Sequence, residues 1–497
     1  MTTTTDPAQG AAGWLGQQLL DASGTPSPSG DHLDYVGFPG FDGGTTADVV
    51  FALAAAGVGG DKIDAIMKYY AAHVDEYTSA ADTTGAPGPS AGAVGKAALA
   101  AIVAGRDPHS FGGFDLVNIL KTSECKAVSA PTETDFSIPN CPAIGAGRNV
   151  YSSIAESFVI LAQARTSTTS ETGLTYLLSL QCTDGGFTGD VTTTGGCTSD
   201  VDATAYATTA LIAAGGHRAA VGRAVGWLTG KRSSAGYWVS QGGPNVDSTG
   251  LAASALAAAG RDVTTSRQWL ASQQVLVAPT LGAGASRGAL KYLGTFSGSS
   301  IKATADGLLG LSPDTSLATV TAARARAGLP VLAPAGTVGS ARVRAGATQT
   351  VTVDGFSRGE KVTAVLHSPS VPLTGTTAGA NGRARLSFTV ASGTAVGRHE
   401  VVLTGASSTL SATVAFTVLA ASAPASSTSA APSSRPAGSS GTPVSSTPVS
   451  SSAPPVGAGP ELAATGLDRG RSGGLAAIGA ALLVAGAGLI HVGRRAR

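Results

Sequence analysis

Two hydrophobic patterns follow one another along the first 420 residues of the chain. Up to residue 311, Ala-rich segments that are apolar on almost every face recur about every 45 to 60 residues, which predicts buried helices. From about residue 335 to 420, short runs alternate apolar and polar side chains, which predicts β-strands. The Ala-rich segments are residues 47–56, 92–104, 154–164, 202–211, 247–256 and 303–311.

A second type of helix accompanies the Ala-rich one. Trp14, Trp227 and Trp269 each precede a Leu in similar blocks, and Leu177 fits the same frame. The mixture of apolar and polar side chains predicts that these helices are amphipathic and lie outside the Ala-rich ones. About six such pairs fill residues 7–330, and closure into a ring removes the need for polar end caps. We therefore predict an all-α (α/α)6 ring over residues 7–330.

Residues 335–420 carry five strand-like runs, separated by turn signals such as Asp354-Gly355 and Asn381-Gly382. Several short strands at this spacing predict an all-β sandwich. The segment resembles the immunoglobulin-like spacer domains of bacterial surface proteins. That resemblance implies a passive stalk domain.

The composition changes again after residue 420. Residues 421–460 contain 13 Ser, 8 Pro and a single charged residue, Arg435. Such a stretch cannot bury enough apolar surface to offset its ordering entropy, and its Pro residues keep it extended. It predicts a disordered Ser/Pro-rich stalk, of the composition found in O-glycosylated proteins.

The last 37 residues, 461–497, combine an apolar segment with a basic tail. Residues 473–490 carry no charge, and Arg494, Arg495 and Arg497 follow shortly after. An uncharged segment of this length predicts one transmembrane helix over residues 473–492. The basic tail favours the cytoplasmic side, so we expect the preceding residues to lie outside the cell.

Immediately before this segment lies the pentapeptide Leu462-Ala463-Ala464-Thr465-Gly466. Together with the apolar span and the Arg tail, it resembles the cell-wall sorting signal of Gram-positive surface proteins, in the Leu-Ala-x-Thr-Gly form of actinobacteria. The resemblance implies that a sortase cleaves between Thr465 and Gly466 and transfers Thr465 to a peptidoglycan amine. Sortase and peptidoglycan are therefore the expected partners, and the cell wall is the expected location.

Export is supported by the cysteines and not by the N-terminus. Residues 1–14 show neither a basic start nor an apolar run, so no signal peptide is recognisable there. Cys125 and Cys141 are 16 residues apart, and Cys182 and Cys197 are 15 apart. Sequential disulfides would each contribute about 3 kcal/mol, although four cysteines allow three pairings. A zinc site is the competing interpretation, and the chain contains no Cys-x-x-Cys to favour it.

Composition narrows the possible partners further. The formal net charge is +1, and only 13% of the residues are charged. A protein that binds nucleic acid by neutralising phosphates needs a strong basic excess, so we expect no nucleic-acid partner.

The Trp-Leu, Gly-Gly-Phe and Asp-x-Thr elements, clearest from residue 170 to 275, resemble the α/α-toroid superfamily. That superfamily includes terpene cyclases, protein prenyltransferase β-subunits and cobalamin carriers. Class II terpene cyclases protonate an alkene with an Asp of an Asp-x-Asp-Asp motif. The nearest string here is Asp200-Val201-Asp202-Ala203, in which Ala203 replaces the last Asp. We therefore interpret Asp202 as a helix cap, like Asp247 and Asp48 at other helix starts.

No other family chemistry is recognisable in the ring. The histidines show no zinc-ligand spacing, so neither a metal nor a cofactor is predicted, and no catalytic residue is assigned. The preferred interpretation is a non-catalytic ring that binds an unidentified small or extended ligand at the cell surface. The alternative is an enzyme of isoprenoid or glycan chemistry. The residues expected to line the cavity at one mouth are Asp48, Asp202, Tyr206 and Asp247.

Overall fold

A computed structural model describes most of the first 420 residues, namely 2–35, 40–78, 90–128, 141, 143–147, 150, 152–189, 196–276, 287–312, 316–367 and 369–420. The Ser/Pro-rich stalk, the pentapeptide Leu462–Gly466 and the expected transmembrane segment 473–492 lie outside the described residues. Among the residues that are described, none of the helices has the length and apolar character needed to span a bilayer.

Thirteen α-helices occur in the described part of the chain, and twelve of them alternate between an inner and an outer layer. The helices are α1 (Pro7–Leu15), α2 (Gly43–Ala56), α3 (Gly60–Ala72), α4 (Val74–Thr78), α5 (Ala91–Val103), α6 (Leu116–Thr122), α7 (Ser153–Arg165), α8 (Glu171–Ser179), α9 (Val201–Ala214), α10 (Arg218–Lys231), α11 (Val246–Ala258), α12 (Thr264–Ser272) and α13 (Ser300–Leu311).

The inner layer is a closed ring of six helices: α2, α5, α7, α9, α11 and α13. Each packs against the next, and α13 packs against α2. Their Ala and Gly residues allow this close approach. A Cβ atom on Gly250 of α11 would lie 2.2 Å from the carbonyl oxygen of Asp306 on α13, so only glycine fits there. The predicted Ala-rich helices are confirmed, with boundaries within a few residues of the expected ones.

The outer layer consists of α1, α3, α6, α8, α10 and α12. These helices bury one face against the ring, as the amphipathic pattern predicts; α10, for example, buries Ala220, Ala224 and Leu228. The Trp-Leu pattern marked α1, α8, α10 and α12 but not α3 or α6. At the start of the chain, α1 packs against both α13 and α2.

Both predicted disulfides are present, Cys125–Cys141 and Cys182–Cys197. Their Cα atoms are 5.5 and 5.4 Å apart, ordinary distances for a disulfide. Because none of the four cysteines is free, the zinc alternative is wrong.

Residues 335–419 form two β-sheets that share one apolar core. The strands among the described residues are β1 (Thr3–Thr4), β2 (Phe187–Thr188), β3 (Ser199–Asp200), β4 (Trp238–Ser240), β5 (Gly243–Asn245), β6 (Val331–Leu332), β7 (Ala335–Val338), β8 (Arg342–Arg344), β9 (Thr348–Asp354), β10 (Lys361–His367), β11 (Val371–Thr377), β12 (Arg383–Thr389), β13 (Gly397–Gly405) and β14 (Ser411–Leu419). In the β-rich region, one sheet has the order β11-β10-β13-β14-β8, and the other has the order β12-β9-β7. The immunoglobulin-like assignment of this region stays a prediction.

Candidate functional site

A repeated threonine fixes how the inner helices are rotated. Thr204 of α9 accepts a hydrogen bond from the backbone amide of Phe187, in the turn before the helix, at 2.9 Å. Thr46, Thr249 and Thr304 accept equivalent bonds at 3.1, 3.1 and 2.9 Å. On α7, Glu156 accepts from the Gly147 amide at 2.9 Å. All these bonds anchor the same turn of the helix to the preceding segment.

In these helices, the residue two positions before the threonine and the residue two positions after it are four positions apart, so their side chains share one helix face. This face differs from the one that carries the threonine. These pairs are Asp202 and Tyr206 on α9, and Lys302 and Asp306 on α13. Asp48 likewise follows Thr46 by two positions. Together with Lys96 and Asp247, these residues meet inside the ring. We call Asp48, Lys96, Asp202, Tyr206, Asp247, Lys302 and Asp306 the central cluster.

Ion pairs connect three of the inner helices within the central cluster. The Lys96 Nζ atom lies 2.7 Å from Asp48 Oδ1, and the Lys302 Nζ atom lies 3.3 Å from Asp48 Oδ2. Lys302 also contacts Asp306 Oδ2 one helical turn further along α13. The two ammonium groups therefore share Asp48, and Lys302 bridges it to Asp306.

The members of the central cluster differ in their exposure. The side chains of Asp48 and Asp306 are 2% and 1% exposed, whereas that of Lys302 is 38% exposed. Asp202 and Asp247 are half-buried, and Tyr206 is buried. We call the partly exposed members Asp202, Asp247 and Lys302 the open layer of the cluster, and its buried members the closed layer.

Asp202 does not cap its helix, so this part of the sequence interpretation is wrong. The N-cap of α9 is Asp200, whose carboxylate accepts from the Ala203 amide at 2.9 Å. In α11 the cap is Asn245, two residues before Asp247, and in α2 it is Asp42, six before Asp48. In each of these helices, the N-cap lies before the residue whose carboxyl belongs to the central cluster. That carboxyl is therefore free to face the interior of the helical ring.

The environment of Asp202 favours its protonated form. Burial, followed by the neighbouring Asp200 carboxylate, raises the pKa of Asp202 to about 7, against smaller opposing contributions that include Ser248 and Lys302. Its Oδ1 atom is fully buried and has no hydrogen-bond partner among the residues that the structure describes. A carboxyl group in this state holds a proton near neutral pH and is able to release it.

Lys302 keeps its charge despite its surroundings. Burial opposes the ammonium form, but Asp306 and Asp48 outweigh this effect and raise the pKa of Lys302 well above its usual value. Asp247 faces both Asp306 and Tyr292. The Lys302 ammonium group thus lies beside the carboxyl groups of Asp48 and Asp306.

Two aromatic side chains also lie among the inner helices. The Phe158 ring of α7 and the Tyr206 ring have centroids 5.0 Å apart, and Lys96 Nζ lies 5.0 Å from the Phe158 centroid. Burial raises the pKa of Tyr206 well above its usual value, so this phenol stays neutral. Six inner helices therefore contribute either a charged or an aromatic side chain to one region.

The structure brings together all four residues named from the sequence, Asp48, Asp202, Tyr206 and Asp247; that they line a cavity stays a prediction. Sequence reasoning missed Lys96, Lys302 and Asp306. The threonine spacing was the available signal for α13, because Lys302 and Asp306 flank Thr304 as Asp202 and Tyr206 flank Thr204. Among the described residues, no three His, Cys, Asp or Glu side chains are arranged to hold a metal ion.

Comparison with protein-family models and with characterised proteins found no match. Among solved structures, the chain is similar to the type II terpene cyclase MstE from Scytonema. The apo form shares 15% identity, with 61% of this chain and 96% of that chain covered and a TM-score of 0.42. A variant in complex with geranylgeranyl dihydroxybenzoate shares 16% identity, covering 61% and 95%, at the same TM-score. At these identities and TM-scores, the similarity carries no conclusion about the fold or the activity of this chain.

Proposed function

We propose that the helical ring is an acid catalyst of isoprenoid chemistry in which Asp202 donates the proton. The observation that supports this proposal is the half-buried Asp202 carboxyl, whose pKa is raised to about 7. A general acid works best when its pKa lies near the operating pH, because it is then protonated and still able to release the proton. The substrate class comes from the resemblance of the repeats and of Asp200-Val201-Asp202 to class II terpene cyclases.

In the proposed step, the Asp202 O–H bond breaks as the proton adds to one carbon of an alkene. The alkene π electrons form the new C–H bond, which leaves a carbocation on the adjacent carbon and a carboxylate on Asp202. A second alkene of the same chain then attacks the cation and closes a ring. Solvent takes a proton from the final cation, which gives a neutral product, and Asp202 regains a proton from solvent. Phe158 and Tyr206 offer aromatic faces to the cationic stages.

The sequence interpretation of a ring that only binds a ligand depended on two observations: Ala203 replaces the last Asp of the Asp-x-Asp-Asp motif, and Asp202 was expected to cap its helix. Because Asp200 is the cap, the second observation no longer supports a non-catalytic ring. Asp202 is instead available for chemistry.

The test is to incubate the full chain with squalene and with geranylgeranyl diphosphate and to analyse the products by mass spectrometry. We expect a cyclic product from the wild type and none from Asp202→Asn, because an amide cannot supply the proton. Asp184→Asn is the matched control, since Asp184 is an exposed carboxylate in the turn between α8 and β2, outside the central cluster. Equal product from Asp202→Asn and wild type, or no product from either, would refute the proposal.

We further propose that the protein is displayed on the cell wall by a sortase. Two disulfides in the described residues support an oxidising location outside the cytoplasm. The order of Leu462–Gly466, apolar span and Arg tail supports sorting, with a single membrane span before cleavage. The β-rich region and the Ser/Pro-rich stretch would then hold the ring away from the membrane.

This second proposal is tested by separating cell-wall and membrane fractions. Thr465→Ala is expected to leave the protein in the membrane, because the sortase acylates through that threonine. Thr447→Ala, in the Ser/Pro-rich stretch, is the matched control and should remain linked to the wall. Wall linkage that persists in Thr465→Ala would overturn the sorting proposal.

A further inference from the structure

A narrow pocket, distinct from the central cluster, lies where α6, α7 and α8 meet. Three polar side chains and three glycines form part of its lining: Glu124, Glu156, Gln163, Gly145, Gly147 and Gly173. Glu156 and Gln163 are seven positions apart on α7, so their side chains share one helix face. Glu124 follows the end of α6 and reaches the same pocket from another segment.

Gly147 brings the two glutamates together. Its backbone amide donates a hydrogen bond to Glu156 Oε2 at 2.9 Å, and its backbone pairs with that of Glu124 in an antiparallel bridge. Next to this bridge, the Cys125 amide donates to the carbonyl oxygen of Ala146 at 2.8 Å. Backbone contacts therefore hold both carboxyl groups at one pocket.

Two oxygen atoms at this pocket lack a hydrogen-bond donor. Glu156 is fully buried and Gln163 is 4% exposed, yet Glu156 Oε1 and Gln163 Oε1 have no partner among the residues that the structure describes. Leaving buried acceptors unpaired is unfavourable, above all for a carboxylate. The pocket is also too narrow for a water molecule to supply the missing hydrogen bonds.

The nearby lysine does not compensate Glu156. Lys126 Nζ lies 2.8 Å from Glu124 Oε1, but the side chain of Lys126 is 77% exposed and lies outside the pocket lining. The side chain of Glu124 itself is only 10% exposed. Two carboxyl groups therefore face a pocket to which the described residues contribute no cation.

We propose that this pocket binds a calcium ion, with oxygen atoms of Glu124, Glu156 and Gln163 among its ligands. Carboxylate and amide oxygens are the donors that Ca²⁺ prefers. This set contains two carboxylates and one amide, so it agrees with the lack of any metal-holding group of three His, Cys, Asp or Glu in the described part of the chain. Gly145, Gly147 and Gly173 carry no side chain that would keep backbone carbonyls away from the ion.

The width of the pocket favours Ca²⁺ over water and over Mg²⁺. Ca²⁺ lies about 2.3 to 2.6 Å from its oxygen ligands, whereas the oxygen of a hydrogen-bonded water lies about 2.7 to 2.8 Å away. The bare ion therefore fits where a water molecule does not. Mg²⁺ usually keeps several of its waters, and this pocket has no room for them.

The experiment is a calorimetric titration of the full chain, freed of metal with EDTA, using CaCl₂ alone and MgCl₂ alone. We expect one Ca²⁺ per chain with a Kd of about 0.1 to 1 mM, the range of extracellular calcium sites, and clearly weaker binding of Mg²⁺. Glu156→Gln should weaken Ca²⁺ binding by about tenfold or more, since even indirect partners of a metal are worth that much. The glutamine still offers an acceptor to the Gly147 amide.

Glu171→Gln is the matched control. Glu171 is exposed in the first turn of α8 and lies outside the pocket lining, so this variant should bind Ca²⁺ like the wild type. A wild type that binds no Ca²⁺, or that binds Mg²⁺ as tightly, would overturn the inference, as would equal Ca²⁺ affinity in Glu156→Gln and wild type.

A second variant covers the case in which Glu156→Gln does not fold. Gln163→Leu removes an unpaired oxygen and leaves the hydrogen bond between Gly147 and Glu156 in place. It should also weaken Ca²⁺ binding, and an unchanged affinity would again overturn the inference. None of these measurements involves Asp202, so their outcome is independent of the proposed acid catalysis.

Discussion

The replacement Asp202→Asn should stabilise the helical ring, and the gain should grow with pH. The folded protein raises the pKa of Asp202 from 3.8 to about 7, mainly through burial. Folding therefore keeps a proton on this carboxyl that the unfolded chain releases above pH 3.8. By linkage, the contribution of Asp202 to wild-type stability is fully present below that pH and is lost as the pH rises to about 7.

The magnitude follows from the difference between the two pKa values. One pKa unit corresponds to about 1.4 kcal/mol, so the shift to about 7 corresponds to a loss of about 4 kcal/mol above neutral pH. Asparagine has the shape of the protonated acid and no proton to release. The variant and the wild type should therefore have similar free energies of unfolding near pH 4 and diverge by up to about 4 kcal/mol at pH 8.

Guanidinium unfolding followed by tryptophan fluorescence measures this difference. All four Trp residues of the chain lie between residues 14 and 269, so the signal reports the ring and not the β-rich region. Asp184→Asn is a control whose effect on the free energy of unfolding should have the opposite sign. Hydrogen bonds from Ser199, Trp227 and Gly186 lower the pKa of Asp184, so its removal should destabilise the protein mainly above pH 4.

Parallel stability profiles for wild type and Asp202→Asn would contradict this reasoning. They would mean that Asp202 ionises in the folded protein as readily as in the unfolded chain. The same result would remove the basis for its role as a general acid.

Three further predictions concern the fold, each checked by guanidinium unfolding. Cys182→Ser should lower the free energy of unfolding by about 2 to 5 kcal/mol, with no effect in reduced protein, because the disulfide to Cys197 is lost. Asp200→Ala should cost about 1 kcal/mol and Asp200→Asn much less, since asparagine also caps; an equal cost would argue against the cap. Thr249→Val should cost about 1 to 3 kcal/mol, because the buried Trp238 amide loses its acceptor; a neutral effect would argue against the anchoring role of the threonine.

The sequence predicted the inner helices well because their composition has one physical cause. A helix surrounded by other helices must be apolar on most faces, and close neighbours require Ala and Gly at the contacts. That combination is visible without a structure, for example in residues 247–256 of α11. The strand alternation predicted β9, β10, β12, β13 and β14 but not β7, β8 or β11. In β11, Pro372 and Gly375 hide the strand.

The candidate site was only partly predictable. A cap and an inward-facing acid both occur at the start of a helix, so Asp200 and Asp202 could be distinguished only by where α9 begins. Lys302 and Asp306 looked like an ordinary pair one turn apart, of the kind common on exposed helix faces. Their role becomes visible only when ring closure brings Asp48 to them from the other end of the helical region.

Ring closure also has a consequence for how the protein is made. During synthesis α2 emerges early, but its partner α13 begins only at Ser300. Until then the growing chain has two unpaired apolar faces, one on α2 and one on the most recent inner helix. Exposed faces of this kind associate with whatever complementary surface they meet, including a neighbouring nascent chain. A polypeptide that stops short of Ser300 is therefore expected to form an open arc whose two ends are prone to aggregate, because the last inner helix is what covers both faces.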